Sequence, residues 1–163
     1  MCQPLIHETL LVKDFMGDDA SLKLDKAVVS LNLDRKDSFN IHLVINELVS
    51  NALDHGLLLL SSAEKSQPSG FDAYYRMRSE RIKQGNTGHI EIHISREFSA
   101  ERHKLHIHVA DTGDGFDTDS LEAKLPGSDC TFGRGISIVR QLCSSVSYSP
   151  KGNQVHVTYD LEG

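Results

Sequence analysis

Two polar side chains, Glu47 and Asn51, lie four residues apart in the segment INELVSNALDHG, residues 45–56. In a helix this spacing puts them one turn apart on one ridge, with His55 a turn further along. An Asn oxygen suits Mg²⁺, which takes few protein ligands and fills its shell with phosphate oxygens and water. A carboxylate one turn earlier can orient or deprotonate a hydroxyl nucleophile beside that ion. Asn51 is therefore the candidate metal ligand and Glu47 the candidate catalytic base, with a plain solvated helix face as the alternative.

A second motif, Asp111-Thr-Gly-Asp-Gly, follows an apolar, strand-like segment. A carboxylate at the end of a strand can accept a hydrogen bond from an adenine amino group, whereas guanine offers a carbonyl there and would be repelled. Gly113 and Gly115 allow the backbone to come close to a flat base and to adopt positive φ. An ordinary Asp/Gly turn is the alternative interpretation.

The third motif, Gly133-Arg134-Gly135, lies directly before a helical pattern. Amide groups at the start of a helix can hold phosphate oxygens, and Arg134 adds a charged donor. Residues 116–132, just before it, contain few apolar anchors and are predicted to act as a mobile lid over the ligand.

Histidines suggest a rival site. His89, His93, His106 and His108 alternate with apolar residues and are expected on the outer faces of neighbouring strands. Three of them could bind zinc, although no Cys or carboxylate completes a familiar ligand spacing. A pH-sensitive surface and a simple solvated strand face are the other two interpretations.

Periodicity predicts the elements that must position these residues. Apolar residues at three- and four-residue steps predict helices over 18–31, 37–55, 71–83 and 135–144, with Asp37 or Ser38 as the cap of the second. Alternation predicts strands over 5–13, 90–94, 105–109, 145–148 and 154–159, with the second and third paired across residues 99–103. This order indicates an α+β two-layer sandwich, with helices packed on one face of a mixed, mostly antiparallel sheet.

Bulk properties bound the function. The 163 residues suit one domain, spanning 1–163, with an inserted loop and helix at about 58–88. A net charge of −6 argues against direct nucleic-acid binding, because phosphate contacts need clustered Lys and Arg. No apolar run is long enough to span a membrane. The three cysteines are too scattered for a disulfide framework, so a cytoplasmic location is expected.

Taken together, the three motifs resemble the ATP-site boxes of the GHKL ATPases, which include the ATP domains of gyrase, MutL, heat-shock chaperones and histidine kinases. The ending Asn51-Ala-x-x-His55-Gly56 is most similar to the anti-sigma-factor serine kinase branch of bacterial partner-switching systems. The closing segment, residues 151–155, is also similar to that branch. The resemblance covers roughly residues 5–160.

The resemblance implies a Bergerat ATP-binding fold with ATP and Mg²⁺ as cofactors. Asn51 would hold the Mg²⁺, Glu47 would be the catalytic base, and Asp111 would bind the adenine. The remaining nucleotide-binding residues implied are His55, Gly113, Gly115, Gly133, Arg134 and Gly135. The implied function is an ATP-dependent protein serine/threonine kinase that phosphorylates an anti-sigma-factor antagonist of the STAS type. It would also sequester a sigma factor or an anti-sigma factor. The resemblance further implies a homodimer.

The insert supports a second interpretation. The inserted segment, residues 57–87, contains the helix at 71–83 and is longer than the short link typical of free-standing kinases of this branch. A chain with this longer insert is similar to the ATPase-like domain attached to receiver and phosphatase domains in some multidomain regulators. The alternative is therefore a non-catalytic, ATP-binding docking module that forms the C-terminal part of such a protein.

Overall fold

The computed structural model describes residues 1–61, 70–115 and 134–162. Its strands are β1 (Cys2–Leu11), β2 (His89–Phe98), β3 (His103–Asp111), β4 (Ser145–Tyr148) and β5 (Gln154–Asp160). Its α-helices are α1 (Asp19–Ser30), α2 (Arg35–Asn51), α3 (Gly70–Lys83) and α4 (Arg134–Leu142). A 3₁₀ helix covers Val12–Met16, and a π-helical segment, Ala52–Leu57, continues α2.

The five strands form one sheet in the order β1-β2-β3-β5-β4. Every neighbouring pair among the described strands is antiparallel, so the parallel pairing implied by a mixed sheet does not occur there. The β2–β3 hairpin confirms the pairing predicted across residues 99–103, with Ile94 opposite Ile107. The α+β class is confirmed.

One face of the sheet carries the core. Alternate residues of the central strands are buried in a single apolar cluster with the inward stripe of α2, including Ile92, Ile107 and Val157 against Val44 and Leu48. Intervening residues of the same strands lie on the other face and include five partly or fully exposed histidines, His89, His93, His106, His108 and His156. The described helices therefore form one layer and the sheet the other, which leaves the outer sheet face open. No helix in the described part of the chain is long and apolar enough to cross a membrane.

Helix α2 begins earlier than its sequence pattern suggests. Its N-cap is Asp34, whose carboxylate accepts a hydrogen bond from the Asp37 backbone N–H at 2.8 Å. The prediction of Asp37 or Ser38 as the cap is therefore wrong. Asp37 is buried and accepts a 2.6 Å hydrogen bond from the Tyr159 hydroxyl of β5, which fixes the start of α2 to the sheet. Burial and this bond raise the pKa of Tyr159 to about 12.

Candidate functional site

A narrow cleft between the end of α2 and the ends of β3 and β5 brings two of the predicted site residues together. Both Asn51 and Asp111 line it, although they are 60 positions apart in the chain. The remaining lining is mostly apolar side chains and the β4–β5 turn: Leu48, Ala52, Val109, Tyr148, Gly152, Asn153, Gln154 and Val155. Apolar walls with a few convergent polar groups resemble the lining of a small-ligand site, but the empty space here is about 230 Å³, less than a typical ligand pocket.

The Asp111 carboxylate is held at the end of β3, with only 6% of the residue exposed. Its Oδ1 accepts a 2.8 Å hydrogen bond from the Gly113 N–H. A methyl group at Gly56 would lie 2.5 Å from Asp111 Oδ2, and one at Gly113 would lie 2.7 Å from Oδ1, so both glycines are needed for the backbone to approach the acid this closely. Burial raises the pKa of Asp111, against the lowering effects of the Gly113 bond and of Lys151.

The β4–β5 turn fixes the backbone of Asp111. The Asn153 backbone carbonyl accepts a 2.9 Å hydrogen bond from the Asp111 N–H. The Asn153 side-chain Nδ2 donates a 3.2 Å hydrogen bond to the Asp111 backbone carbonyl. Gly115, at φ +85°, packs directly on the Lys151 carbonyl, where no side chain would fit. Asn153 is a positioning residue that motif spacing did not single out, because its partner is 42 residues away.

Asn51 supplies the cleft with a buried amide. Its Nδ2 is buried and finds no hydrogen-bond partner among residues 1–61, 70–115 and 134–162. A buried polar group without a partner costs folding free energy, so a ligand that satisfies this amide would recover some of it. The amide carries both a donor nitrogen and an acceptor oxygen, and the oxygen is the atom that would hold Mg²⁺. The unpartnered nitrogen therefore fits an acceptor such as a phosphate or water oxygen, and the oxygen of the same amide is the kind of atom that fits a hydrated Mg²⁺.

Glu47 lies one helical turn before Asn51, as predicted, and meets the start of α4. A methyl group at Gly135 would overlap the Glu47 carboxylate, so this acid lies directly against the first residues of α4. The N-terminal end of a helix carries partial positive charge, which attracts a carboxylate placed against it. The structure thus joins residues of the first and third motifs.

The ridge through Glu47, Asn51 and His55 does not continue as a regular α-helix. The backbone changes to π-helical geometry at Ala52, with the Leu58 N–H donating to the Leu53 carbonyl at 2.8 Å. This wider turn moves His55 off the four-residue spacing. His55 Nδ1 lies 2.7 Å from the Leu60 carbonyl, and His55 is not among the residues that line the cleft. Its role in nucleotide binding stays a prediction.

The insert helix α3 is attached to this π-helical segment by a buried acid. Asp54 accepts hydrogen bonds from the Tyr74 hydroxyl at 2.8 Å and from Arg78 Nε at 2.7 Å. Arg81 donates to the carbonyls of Leu58 and Leu59. Sequence reasoning missed Asp54, because a buried acid in a helical pattern is recognised only once its distant partners are known. Side-chain hydrogen bonds therefore join α3 to the π-helical segment that continues α2, the helix that carries Glu47 and Asn51.

Replacing Asp54 with Ala is expected to lower the free energy of unfolding by about 2 to 4 kcal/mol, because the buried Tyr74 hydroxyl and Arg78 lose their carboxylate acceptor. Urea denaturation measures the change. Asp72→Ala is the control, since Asp72 lies exposed in the first turn of α3 and should cost less than about 1 kcal/mol. Equal losses in the two variants would contradict an anchoring role for Asp54.

Two of the predicted features, Gly133 and the lid at 116–132, lie outside the described residues. Arg134 is described as the first residue of α4, and nothing is assigned to its side chain. The phosphate-binding role of these residues, and the lid itself, stay predictions.

Comparison with protein families places part of this chain in a known family. A family model described as the histidine kinase-like ATPase domain matches residues 78–159, just over half of the chain. The matched segment includes Asp111, Gly113 and Asn153 but begins after Glu47 and Asn51. No curated protein matches the chain.

Proposed function

Because the chain belongs to the family of histidine kinase-like ATPase domains, whose ligand is ATP, we propose that it is a protein serine/threonine kinase. It would use magnesium and ATP to phosphorylate a regulatory partner protein. Asp111 would accept a hydrogen bond from the adenine amino group, and Asn51 would hold Mg²⁺. That ion, when bound, neutralises charge on the phosphates.

One observation carries the proposal beyond ATP binding. The Glu47 carboxylate lies one turn from Asn51 and against Gly135 at the start of α4. A carboxylate beside a phosphate-binding region is the group that a hydroxyl nucleophile needs, because the hydroxyl must lose its proton as it attacks. Nucleotide binding alone does not require a base, whereas transfer to a hydroxyl does.

Phosphate transfer forms one bond to phosphorus and breaks another. The serine or threonine oxygen of the partner forms a bond to the γ-phosphorus, and the bond between that phosphorus and the β,γ-bridging oxygen breaks. ADP leaves with the bonding electrons, and the hydroxyl proton passes to Glu47. The chain itself positions the acceptor and takes the proton.

The partner class follows the motif resemblance. An anti-sigma-factor antagonist of the STAS type would be the phosphate acceptor, and a sigma factor or anti-sigma factor would be the sequestered protein. Phosphorylation adds nearly two negative charges to the antagonist serine, which is enough to break an interface built around it.

A homodimer is the proposed oligomeric state of the chain. Light scattering at two protein concentrations tests it.

The direct test is transfer of label from γ-labelled ATP with Mg²⁺ to a candidate antagonist from the same genome. We expect label on an antagonist serine or threonine and none with Asn51→Ala. Nucleotide affinity is measured in parallel with a fluorescent ATP analogue. Tight ATP binding with no transfer to any antagonist of that genome would contradict the kinase assignment, and no ATP binding would contradict the nucleotide site as well.

A second candidate function is favoured by the insert. Helix α3 is fixed to the end of α2 through Asp54 and exposes Phe71 and Tyr75. A protein docked on α3 would contact an element joined directly to the ATP-site helix, so nucleotide could tune its affinity without any phosphate transfer. Loss of partner binding in Phe71→Ala, with no phosphorylated partner formed, would favour this docking module.

Gly135→Ala is expected to reduce phosphate transfer at least tenfold without loss of stability. The added methyl group would overlap the Glu47 carboxylate, and that flexible side chain can swing away. Ala also favours a helix over Gly by about 1 kcal/mol. Thermal unfolding and the transfer assay measure the two effects. Gly17→Ala is the control, because nothing lies within 4 Å of a methyl group there. A destabilised Gly135→Ala protein would contradict this explanation.

A further inference from the structure

The outer face of the sheet carries a row of histidines. Strand pairing places His7 opposite His93, His93 opposite His108, and His108 opposite His156. The row therefore crosses four neighbouring strands on the face that the described helices leave open. The rings of His7 and His93 stack at 4.0 Å between centroids, and those of His93 and His108 lie 6.1 Å apart.

One end of this row has a carboxylate within reach. Glu91 precedes His93 by two residues in β2 and therefore projects from the same face. Glu91 Oε2 lies 3.8 Å from His93 Nε2. One ligand atom each from His7, Glu91 and His93 lies within 4.8 Å of the other two. Two imidazoles and a carboxylate are thus gathered on two adjacent strands without any rearrangement of the backbone.

We propose that His7, Glu91 and His93 form a binding site for a divalent transition-metal ion of the zinc class. Imidazole nitrogen with one carboxylate oxygen is a ligand set that suits Zn²⁺, Co²⁺ and Ni²⁺, whereas Mg²⁺ prefers oxygen ligands alone. Water completes the coordination, because the site is open to solvent. The ion would join the edge strand β1 to β2 through side chains.

Of the four histidines singled out from sequence, only His93 belongs to this site. His106 is engaged elsewhere, with its Nε2 2.7 Å from Glu97 Oε2 and its ring stacked on His156. His7 was not considered, because it lies 86 residues before His93 and only the β1–β2 register brings the two together. Glu91 needs no such register, because it precedes His93 by two residues on the same strand and alternation places both on one face.

This metal site is separate from the nucleotide site. Glu91 and His93 project from the outer face, whereas their neighbours Ile90, Ile92 and Ile94 are buried in the core beneath α2. Asp111 is opposite Ile90 and is itself buried. Metal binding at His7 and His93 should therefore not depend on the nucleotide-binding carboxylate, and Asp111→Asn should leave it unchanged.

The test is competition for Zn²⁺ between the tag-free protein and a chromogenic zinc chelator, supported by the visible absorption of bound Co²⁺. We expect one site whose affinity falls at least tenfold in His7→Gln, in His93→Gln and in Glu91→Gln. His103→Gln is the matched control, because it removes an exposed imidazole at the far end of the same hairpin. The four substituted side chains are partly or fully exposed, so each variant should fold as the wild type does. Circular dichroism of each variant checks this.

A second readout is independent of affinity. A metal that joins β1 to β2 should slow hydrogen exchange of the β1 amides when Zn²⁺ is added, and this protection should disappear in His93→Gln. Wild-type affinity in both His7→Gln and His93→Gln would overturn the proposal. So would equal weakening in His103→Gln, because that would indicate general binding to the nine histidines of the chain.

Discussion

Asp111→Asn is expected to weaken ATP binding by about 10- to 100-fold, the cost of losing a charge-assisted hydrogen bond in a buried site. The Asn oxygen can still accept from the Gly113 N–H, as Oδ1 does now at 2.8 Å. The amide nitrogen would then occupy the position of Oδ2 and present a donor to the adenine amino group, which is also a donor. Guanine offers a carbonyl there, so the preference for ATP over GTP should narrow in the variant. Isothermal titration with both nucleotides measures the two effects.

The pKa of Asp111 gives this prediction a pH signature. Burial raises that pKa, and only the ionised carboxylate has both oxygens ready to accept, Oδ1 from the Gly113 N–H and Oδ2 from the adenine amino group. ATP affinity in the wild type should therefore fall on acidification at a higher pH than for an ordinary aspartate. The Asn variant should lack this fall. An identical pH profile in both proteins would contradict recognition of adenine by Asp111.

Measuring the stability of Asp111→Asn distinguishes a loss of ATP affinity from partial unfolding of the variant. A carboxyl whose pKa is raised in the folded state binds its proton more tightly there than in the unfolded chain. Its contribution to the free energy of unfolding therefore decreases as the pH rises through the raised pKa. Asp111→Asn removes that penalty and should be at least as stable as the wild type at neutral pH. Asp19→Asn, at an exposed position in α1, is the control for both measurements.

The sequence predicted the regular elements because their patterns are local. Apolar steps along α2 and alternation in β2 and β3 depend on neighbours within one turn or one strand, and the structure confirms them. Pairing of β2 with β3 was also predictable, because a short connection joins consecutive strands. The same local reasoning placed Glu47 and Asn51 one turn apart.

What the sequence did not predict depends on distant partners. Asp37 looks like a helix cap until Tyr159, 122 residues away, is seen to donate to it. Asp54 looks like a solvated helix residue until α3 brings Tyr74 onto it. The change to π-helical geometry after Asn51 has no periodic signature, because the apolar stripe continues through Leu53 and Leu57. A regular helix was therefore assumed through His55.

Glu47→Gln is expected to lower phosphate transfer by about 10² to 10⁴-fold, the usual contribution of a general base, with ATP affinity changed less than about threefold. Gln has nearly the shape of Glu and can still pack against Gly135, but it cannot take the hydroxyl proton. Single-turnover transfer to the antagonist measures the rate, and fluorescent-nucleotide titration measures the affinity. Glu80→Gln, on the exposed side of α3, is the matched control.

The two measurements on Glu47→Gln distinguish a base from a structural acid. A base acts only on the reacting hydroxyl, so its loss lowers the transfer rate and leaves nucleotide affinity in place. An acid that merely holds the start of α4 in position would, when neutralised, disturb α4 and weaken nucleotide binding with it. Equal losses in rate and affinity would therefore assign Glu47 to positioning, and an unchanged rate would remove the base from the proposed mechanism. Because Gly135→Ala displaces the same carboxylate without removing it, the two variants should share the kinetic defect, and a defect in only one of them would contradict the proposed role of this contact.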